Sequence, residues 1–287
     1  MNLCVVSSFP PKQCGIAEFN QDLMTELLPL LPPSQLVSVA INEGDEFVNG
    51  YPADVKLQIR KNYPADYLKA ADFINNLKSD VVLLQHQFAL FGGFCGGYAL
   101  DLIRKLDRPV ICVVHTVPVR SDAHKPITKK KFFFQAAPKI RQFVVFTPEA
   151  KRKLLSYDIA SEKITVIDHG APDILSFKST DVRHSLGLKP NEFMIFSFGL
   201  LQKGKGLDYA IGAMEEMAKQ KLNCRLVILA TPLRGDENEQ YFLKLKSLIK
   251  TLHLGQYVLF QRVYLSKEQL YAYINACDIG LLPYVYQ

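Results

Sequence analysis

The sequence has no apolar run approaching the roughly 18 residues that span a bilayer, so any membrane contact is expected to be peripheral. Its cysteines include no C-x-x-C pair, and no trio of His, Asp, Glu or Cys has metal-ligand spacing. Neither a structural nor a catalytic metal is therefore expected. Cys4, Cys14, Cys95, Cys112, Cys224 and Cys277 are read as reduced thiols, most of them acting as small hydrophobes inside strand-like runs. Repeats and low-complexity tracts are absent. Met1–Ser8 lacks a basic leader and a cleavage site, so it reads as a first strand rather than a signal peptide. Dense basic stripes are missing too. The net charge of +6 over 287 residues suits an anionic ligand or an anionic membrane surface. It falls short of a nucleic-acid binder, and no nucleic-acid partner is expected. A cytoplasmic protein, at most peripheral to the inner face of the membrane, is the expectation.

What is present is material for folded cores: 48% of residues are apolar and 22% charged. The length suggests two domains. Short apolar runs alternate with amphipathic stretches. Strands are expected at 3–7, 35–40, 81–84, 110–115, 143–146 and 164–167, then at 194–198, 225–230, 257–260 and 279–282. These runs are rich in Val, Ile and Phe and mostly unalternated, as in parallel strands buried on both faces. Helices are expected at 16–28, 65–77, 100–106, 148–155, 207–219, 239–252 and 267–276. In the first of these Ile16, Phe19, Leu23 and Leu27 follow the 3.6-residue period. Strand–helix alternation of this kind predicts a doubly wound α/β architecture. The segment from Gly170 to Pro190 is rich in turn residues, and the rhythm restarts after it. The expected domains are 1–172 and 173–287.

Four segments carry candidate chemistry. The strand–loop–helix Ser7 to Ile16 places Cys14 and Gly15 at a helix N-terminus beyond a strand's carboxyl end. Free N–H groups and a glycine there suit a phosphate or sugar, although an ordinary βα turn looks the same in sequence. Gly199-Leu200-Leu201-Gln202-Lys203-Gly204-Lys205 fits most of a P-loop, but Gly206 stands where that motif needs a hydroxyl for Mg²⁺. What survives is a glycine-rich loop in which Lys203 and Lys205, with helix-end N–H groups, neutralise a diphosphate without a metal. His115 ends a strand, where this type of fold places ligand-facing residues; a satisfied core histidine is the alternative. His86 and His169 end neighbouring strands and, with Cys14, are candidates to line an acceptor site or cleft. Finally, Lys129-Lys130-Lys131 precede three phenylalanines, with Lys125, Lys139 and Arg141 nearby. This segment suits an anionic membrane surface or one solvated helix face with its aromatics turned inward.

Taken in order, Cys14–Phe19, Val113–Thr116, Val166–Gly170, Phe198–Leu207 and Ala276–Pro283 resemble the family-four (group 1) retaining glycosyltransferases. The resemblance runs from residue 3 to residue 283. It implies the GT-B arrangement: an α/β protein of two Rossmann-like parallel-sheet domains facing across a cleft, the second incomplete here. It implies transfer of a sugar from a UDP- or GDP-sugar, with retention, to a glycan or lipid-linked acceptor in glycan biosynthesis, with no cofactor beyond the donor. By the resemblance, Gly15 and Gly199 border the donor, His115 contacts the transferred sugar as the catalytic residue, Lys205 binds the diphosphate, and Arg262 borders the nucleoside. Two departures matter. Leu200 replaces an arginine of the family's diphosphate clamp, and the family's Glu-x7-Glu segment does not appear before Gln287. The expectation is therefore a truncated chain that binds nucleotide weakly and transfers sugar poorly or not at all. A sugar-nucleotide epimerase of the same architecture, a binding remnant without catalysis, and a P-loop NTPase are the alternatives.

Overall fold

In the computed structural model the described residues are 2–31, 36–77, 79–118, 126–172, 180–233 and 235–285. The chain divides into two compact units, 1–170 and 171–287. Among the described residues the first unit holds a seven-stranded sheet and the second a four-stranded one.

The strands of the first unit are β1 (Leu3–Ser7), β2 (Leu36–Asn42), β3 (Val55–Arg60), β4 (Val81–His86), β5 (Val110–Val114), β6 (Ile140–Val145) and β7 (Ile164–Val166). Its helices are α1 (Gly15–Leu27), α2 (Pro64–Asn76), α3 (Tyr98–Lys105), α4 (Pro126–Ala136) and α5 (Pro148–Leu155). The sheet order is β3-β2-β1-β4-β5-β6-β7, and every paired strand runs parallel. The order reverses between β1 and β4. That reversal is the switch point where a doubly wound sheet opens a crevice at its strands' carboxyl ends. One face of the sheet packs Val6, Ile41, Leu84 and Val114 against Tyr67 and Ile74 of α2, Leu102 and Ile103 of α3, and Phe132 and Phe133 of α4. The other face packs Val5, Leu83 and Val113 against Met24 of α1.

Local chemistry starts the helices where the sequence signals lie. Cys14 caps α1, its Sγ accepting from Ala17 N at 3.4 Å. Thr147 caps α5 by accepting from Ala150 N at 3.1 Å, and Pro148 follows at the first turn. The strand β3 was not expected from sequence. Val55, Leu57 and Ile59 alternate with Lys56, Gln58 and Arg60: β3 lies at the sheet edge, where polar side chains such as Gln58, hydrogen-bonded to Asn42 and Val48, are accommodated. The helix α4 resolves the basic–aromatic segment: Phe132 and Phe133 are core residues while Phe134 is exposed. Lys130 pairs with Asp158 at 3.0 Å. Lys125 and Gln35 lie outside the described residues.

The second unit contains α6 (Thr180–Ser185), β8 (Phe193–Leu200), α7 (Leu207–Lys219), β9 (Cys224–Thr231), α8 (Asp236–Thr251), β10 (Val258–Arg262), α9 (Lys267–Ala276) and β11 (Ile279–Gly280). Its order is β10-β9-β8-β11, again all parallel, with a reversal between β8 and β11. Ile195, Leu226 and Ile228 pack against Ile211 and Met214 of α7 and Leu245 of α8. Phe196, Val227 and Leu229 pack on the opposite face against Tyr273 and Ile274 of α9 and Val182 of α6. A Ser266–Gln269 capping box starts α9. Among the described residues no helix is long and apolar enough to cross a membrane.

Candidate functional site

In the first unit the chemistry gathers at the carboxyl ends of β1, β4 and β5. The loop after β1 ends at Cys14, whose sulfur lies 3.3 Å from Ser8 Oγ. The cysteine is thus engaged locally in starting α1. Gly15 opens that helix in the open: a side-chain carbon added there would meet nothing within 4 Å. Gly15 itself is exposed at the positive end of the helix, whereas the Ala17 N–H is already taken by Cys14 Sγ.

His115 follows β5 and is half-buried. Its Nε2 lies 2.8 Å from Gln85 Oε1. Its ring is held edge-on by Phe19 of α1, at 4.9 Å between centroids, and by Phe146 just past β6, at 5.3 Å. Burial, with His169 as a lesser contributor, pushes the His115 imidazole down to about 4, so it is neutral at pH 7. His169 is exposed and rests on the same two phenylalanines, at 4.9 and 5.0 Å, with Nδ1 2.8 Å from Gly170 O. The structure thus brings His115 and His169 together around Phe19 and Phe146. Sequence reasoning did not single out Phe19, Phe146 or Gln85 as site residues. Only Gln85 left a trace, as an amide at the end of the apolar run Val81–Leu84.

His86 lies elsewhere. Successive strand side chains point to opposite faces, and His86 turns from the α1 side into the layer packed by Phe88, Phe91, Phe132 and Phe133. It is fully buried and does not line an open surface, and burial first, His115 second, lowers it to about 3.

In the second unit the glycine-rich loop leaves β8 at the switch point beside β11. Gly199 and Gly206 both take positive φ, at +123° and +63°. Lys203–Lys205 form one tight turn, and Gly206 caps α7 in the left-handed region. Residues 283–285 lie against this turn: Val285 N donates to Gly204 O at 3.1 Å, and a side-chain carbon on Gly206 would stand 2.0 Å from Pro283 O. Lys205 is half-buried, its Nζ 3.7 Å from the centroid of the Tyr284 ring, whereas Lys203 is exposed. Arg262 is placed differently. It ends β10, two strands from β8, about 10 Å away at normal strand spacing. Its guanidinium pairs with Glu239 and stacks 3.8 Å from the Phe242 ring centroid. Among the described residues no three His, Cys, Asp or Glu side chains group as metal ligands.

This two-unit α/β chain matches known sequence profiles along most of its length. The profile of Glycosyltransferase Family 4 matches residues 42–173, and that of Glycosyl transferases group 1 matches residues 178–286. The chain belongs to the family 4, group 1 glycosyltransferases. No curated protein matches it in sequence. Solved structures share its fold at low identity. Anabaena HepE in complex with UDP and glucose aligns at 16% identity and a TM-score of 0.73, over 98% of this chain and 73% of that one. Sucrose-phosphate synthase from Thermosynechococcus elongatus aligns at 14% and 0.75, over 100% and 76%. A UDP-forming α,α-trehalose-phosphate synthase from Burkholderia xenovorans aligns at 13% and 0.71, over 99% and 78%. All have the GT-B fold. The family makes this chain a transferase and does not favour the epimerase reading.

Proposed function

We propose that this glycosyltransferase takes its sugar from a UDP-sugar and transfers it, with retention at the anomeric carbon, to a glycan or lipid-linked acceptor. The observation that carries the donor half is the loop Gly199–Gly206, where Lys205 sits half-buried at the carboxyl end of β8, at the start of α7. As the bond to the sugar breaks, charge develops on the leaving diphosphate. A fixed ammonium and helix-end N–H groups stabilise that charge without reorganising, the electrostatic contribution that usually dominates. Lys203 extends the same cationic edge, and Gly199 leaves room for the phosphates. Uridine is preferred because HepE was solved with UDP and with UDP-glucose, and the Burkholderia synthase is described as UDP-forming. His115 and Gly15 contact the transferred sugar, Arg262 borders the nucleoside, and Cys14 and His169 flank the acceptor side. No metal takes part, because lysines and N–H groups neutralise the diphosphate.

The test is release of UDP from UDP-glucose with and without an acceptor panel of simple sugars and polyprenyl phosphate, with EDTA present. Acceptor-dependent UDP release, with an α-linked product from the α-configured donor, supports the reading. Conversion of the donor sugar without any acceptor would replace it with the epimerase reading. Loss of activity in EDTA would overturn the metal-free mechanism.

A further inference from the structure

The end of β4 carries a glutamine that the packing does not need. Gln85 is 0% exposed and follows four apolar residues of its strand. By register β4 lies between β1 and β5, with Leu84 beside Val6 and Gln85 beside Val113. Leu83, two residues earlier on the same face, belongs to the apolar layer under α1 with Val5, Val113 and Met24. A leucine or methionine at position 85 would extend that layer. Instead an amide is buried, and its Nε2 has no partner among the described residues. Leaving a buried donor unpaired costs stability. Among the described residues the one side-chain hydrogen bond of Gln85 is with His115, its Oε1 lying 2.8 Å from the ring Nε2.

Two features limit what His115 can do with that contact. Phe19 and Phe146 stand edge-on to its ring, so the imidazole does not turn without displacing one of them. Its far nitrogen points at the buried amide, and a carbonyl oxygen only accepts. A neutral imidazole has one ring proton, and the other nitrogen carries a lone pair.

We infer that Gln85 is the positioning residue of His115, fixing its proton on Nε2 and leaving Nδ1 as a hydrogen-bond acceptor. His115 then recognises a donor group, such as a sugar hydroxyl, and does not serve phosphate oxygens or a carboxylate. This consequence for the sugar rests on the site reading given under Proposed function; the pairing of Gln85 with His115 does not.

The experiment is a long-range proton–nitrogen spectrum of the histidine-labelled protein at pH 7, with His115 assigned by its disappearance in His115→Gln. The expected spectrum shows His115 protonated at Nε2 and bare at Nδ1. In Gln85→Leu a second, Nδ1-protonated population appears. In Gln85→Glu, which keeps an acceptor oxygen and also guards against a leucine variant that fails to fold, the Nε2 proton stays and the ring becomes cationic at higher pH. A proton on Nδ1 in the unsubstituted protein overturns the inference, as does a folded Gln85→Leu with an unchanged His115 spectrum. In the same samples, affinity for UDP-glucose is expected to fall about tenfold in Gln85→Leu while affinity for UDP holds. Equal loss for both ligands overturns the hydroxyl-acceptor role. If the unsubstituted protein binds UDP but not UDP-glucose, the sugar-site reading falls, and the tautomer spectrum alone decides the pairing.

Discussion

The ammonium of Lys205 lies 3.7 Å from the centre of the Tyr284 ring, so the lysine proposed to bind the donor diphosphate is held on an aromatic face. Substituting Lys205 by alanine removes one charge-assisted contact. UDP affinity is expected to fall roughly 10- to 100-fold, from the 1.5–3 kcal/mol of a hydrogen bond to a charged group. Tyr284→Phe keeps the ring and should leave affinity unchanged, whereas Tyr284→Ala frees the lysine and should weaken binding severalfold, in line with about 0.5–1 kcal/mol for an exposed cation–π contact. Titration calorimetry with UDP checks all three. Unchanged affinity in Lys205→Ala removes that residue from the site.

Gly206 is irreplaceable for a backbone reason. Its φ of +63° disfavours any other residue, and a methyl group would press on Pro283 O. Gly206→Ala should destabilise the second unit by at least about 2 kcal/mol, read as a lower denaturant midpoint. Gly15→Ala, with open space around it and no positive φ, should leave stability unchanged. It tests instead whether a ligand approaches that backbone.

Acid should weaken the first unit through its buried histidines. His86 and His115 are lowered from 6.5 to about 3 and about 4. The unfolded chain binds these protons near pH 6.5, while the folded chain does not. Their contribution to stability is complete above about pH 6.5 and falls as pH drops from there through the folded values. The midpoint of urea unfolding should decrease from pH 7 to pH 4. His86→Phe, which keeps an aromatic ring among Phe88, Phe91, Phe132 and Phe133, should flatten that decrease. A midpoint independent of pH across this window would refute the account.

Asp278 ties the start of β11 to its neighbours. Its Oδ2 accepts from Met194 N at 2.7 Å and from Arg183 Nη1 at 3.1 Å, and Arg183 also donates to Ala276 O and Glu192 O. The Met194 N–H first, and Arg183 after it, hold the carboxyl below the usual carboxylate range. Asp278→Ala should cost on the order of 1–2 kcal/mol, a hydrogen bond to a charged group discounted for partial exposure. Thermal unfolding followed in the second unit measures it.

Much of this was legible in the chain. The helix 148–155 stands where Thr147 and Pro148 announce it, and β1 covers the run Leu3–Ser7 as expected. These depend on neighbours close in sequence. The edge strand β3 escaped because its alternating pattern differs from the buried runs that revealed the others. The basic–aromatic segment was ambiguous because a block of lysines followed by a block of phenylalanines has no helical period; packing sends Phe132 and Phe133 into the core. His86 and His115 looked alike in sequence, each ending a strand, yet one is enclosed by phenylalanines and the other meets Gln85.

By itself, then, the sequence determined the alternation of parallel strands and helices, the helix caps and the glycine-rich loop, all of which follow from local periodicity, capping and backbone freedom. Tertiary structure decided the strand order and with it the two switch points, the pairing of Gln85 with His115, the enclosure of His86, and the seating of Lys205 on Tyr284. Parallel strands meet only through long crossovers, so which strand ends become neighbours is a property of the assembled sheet and not of any one segment.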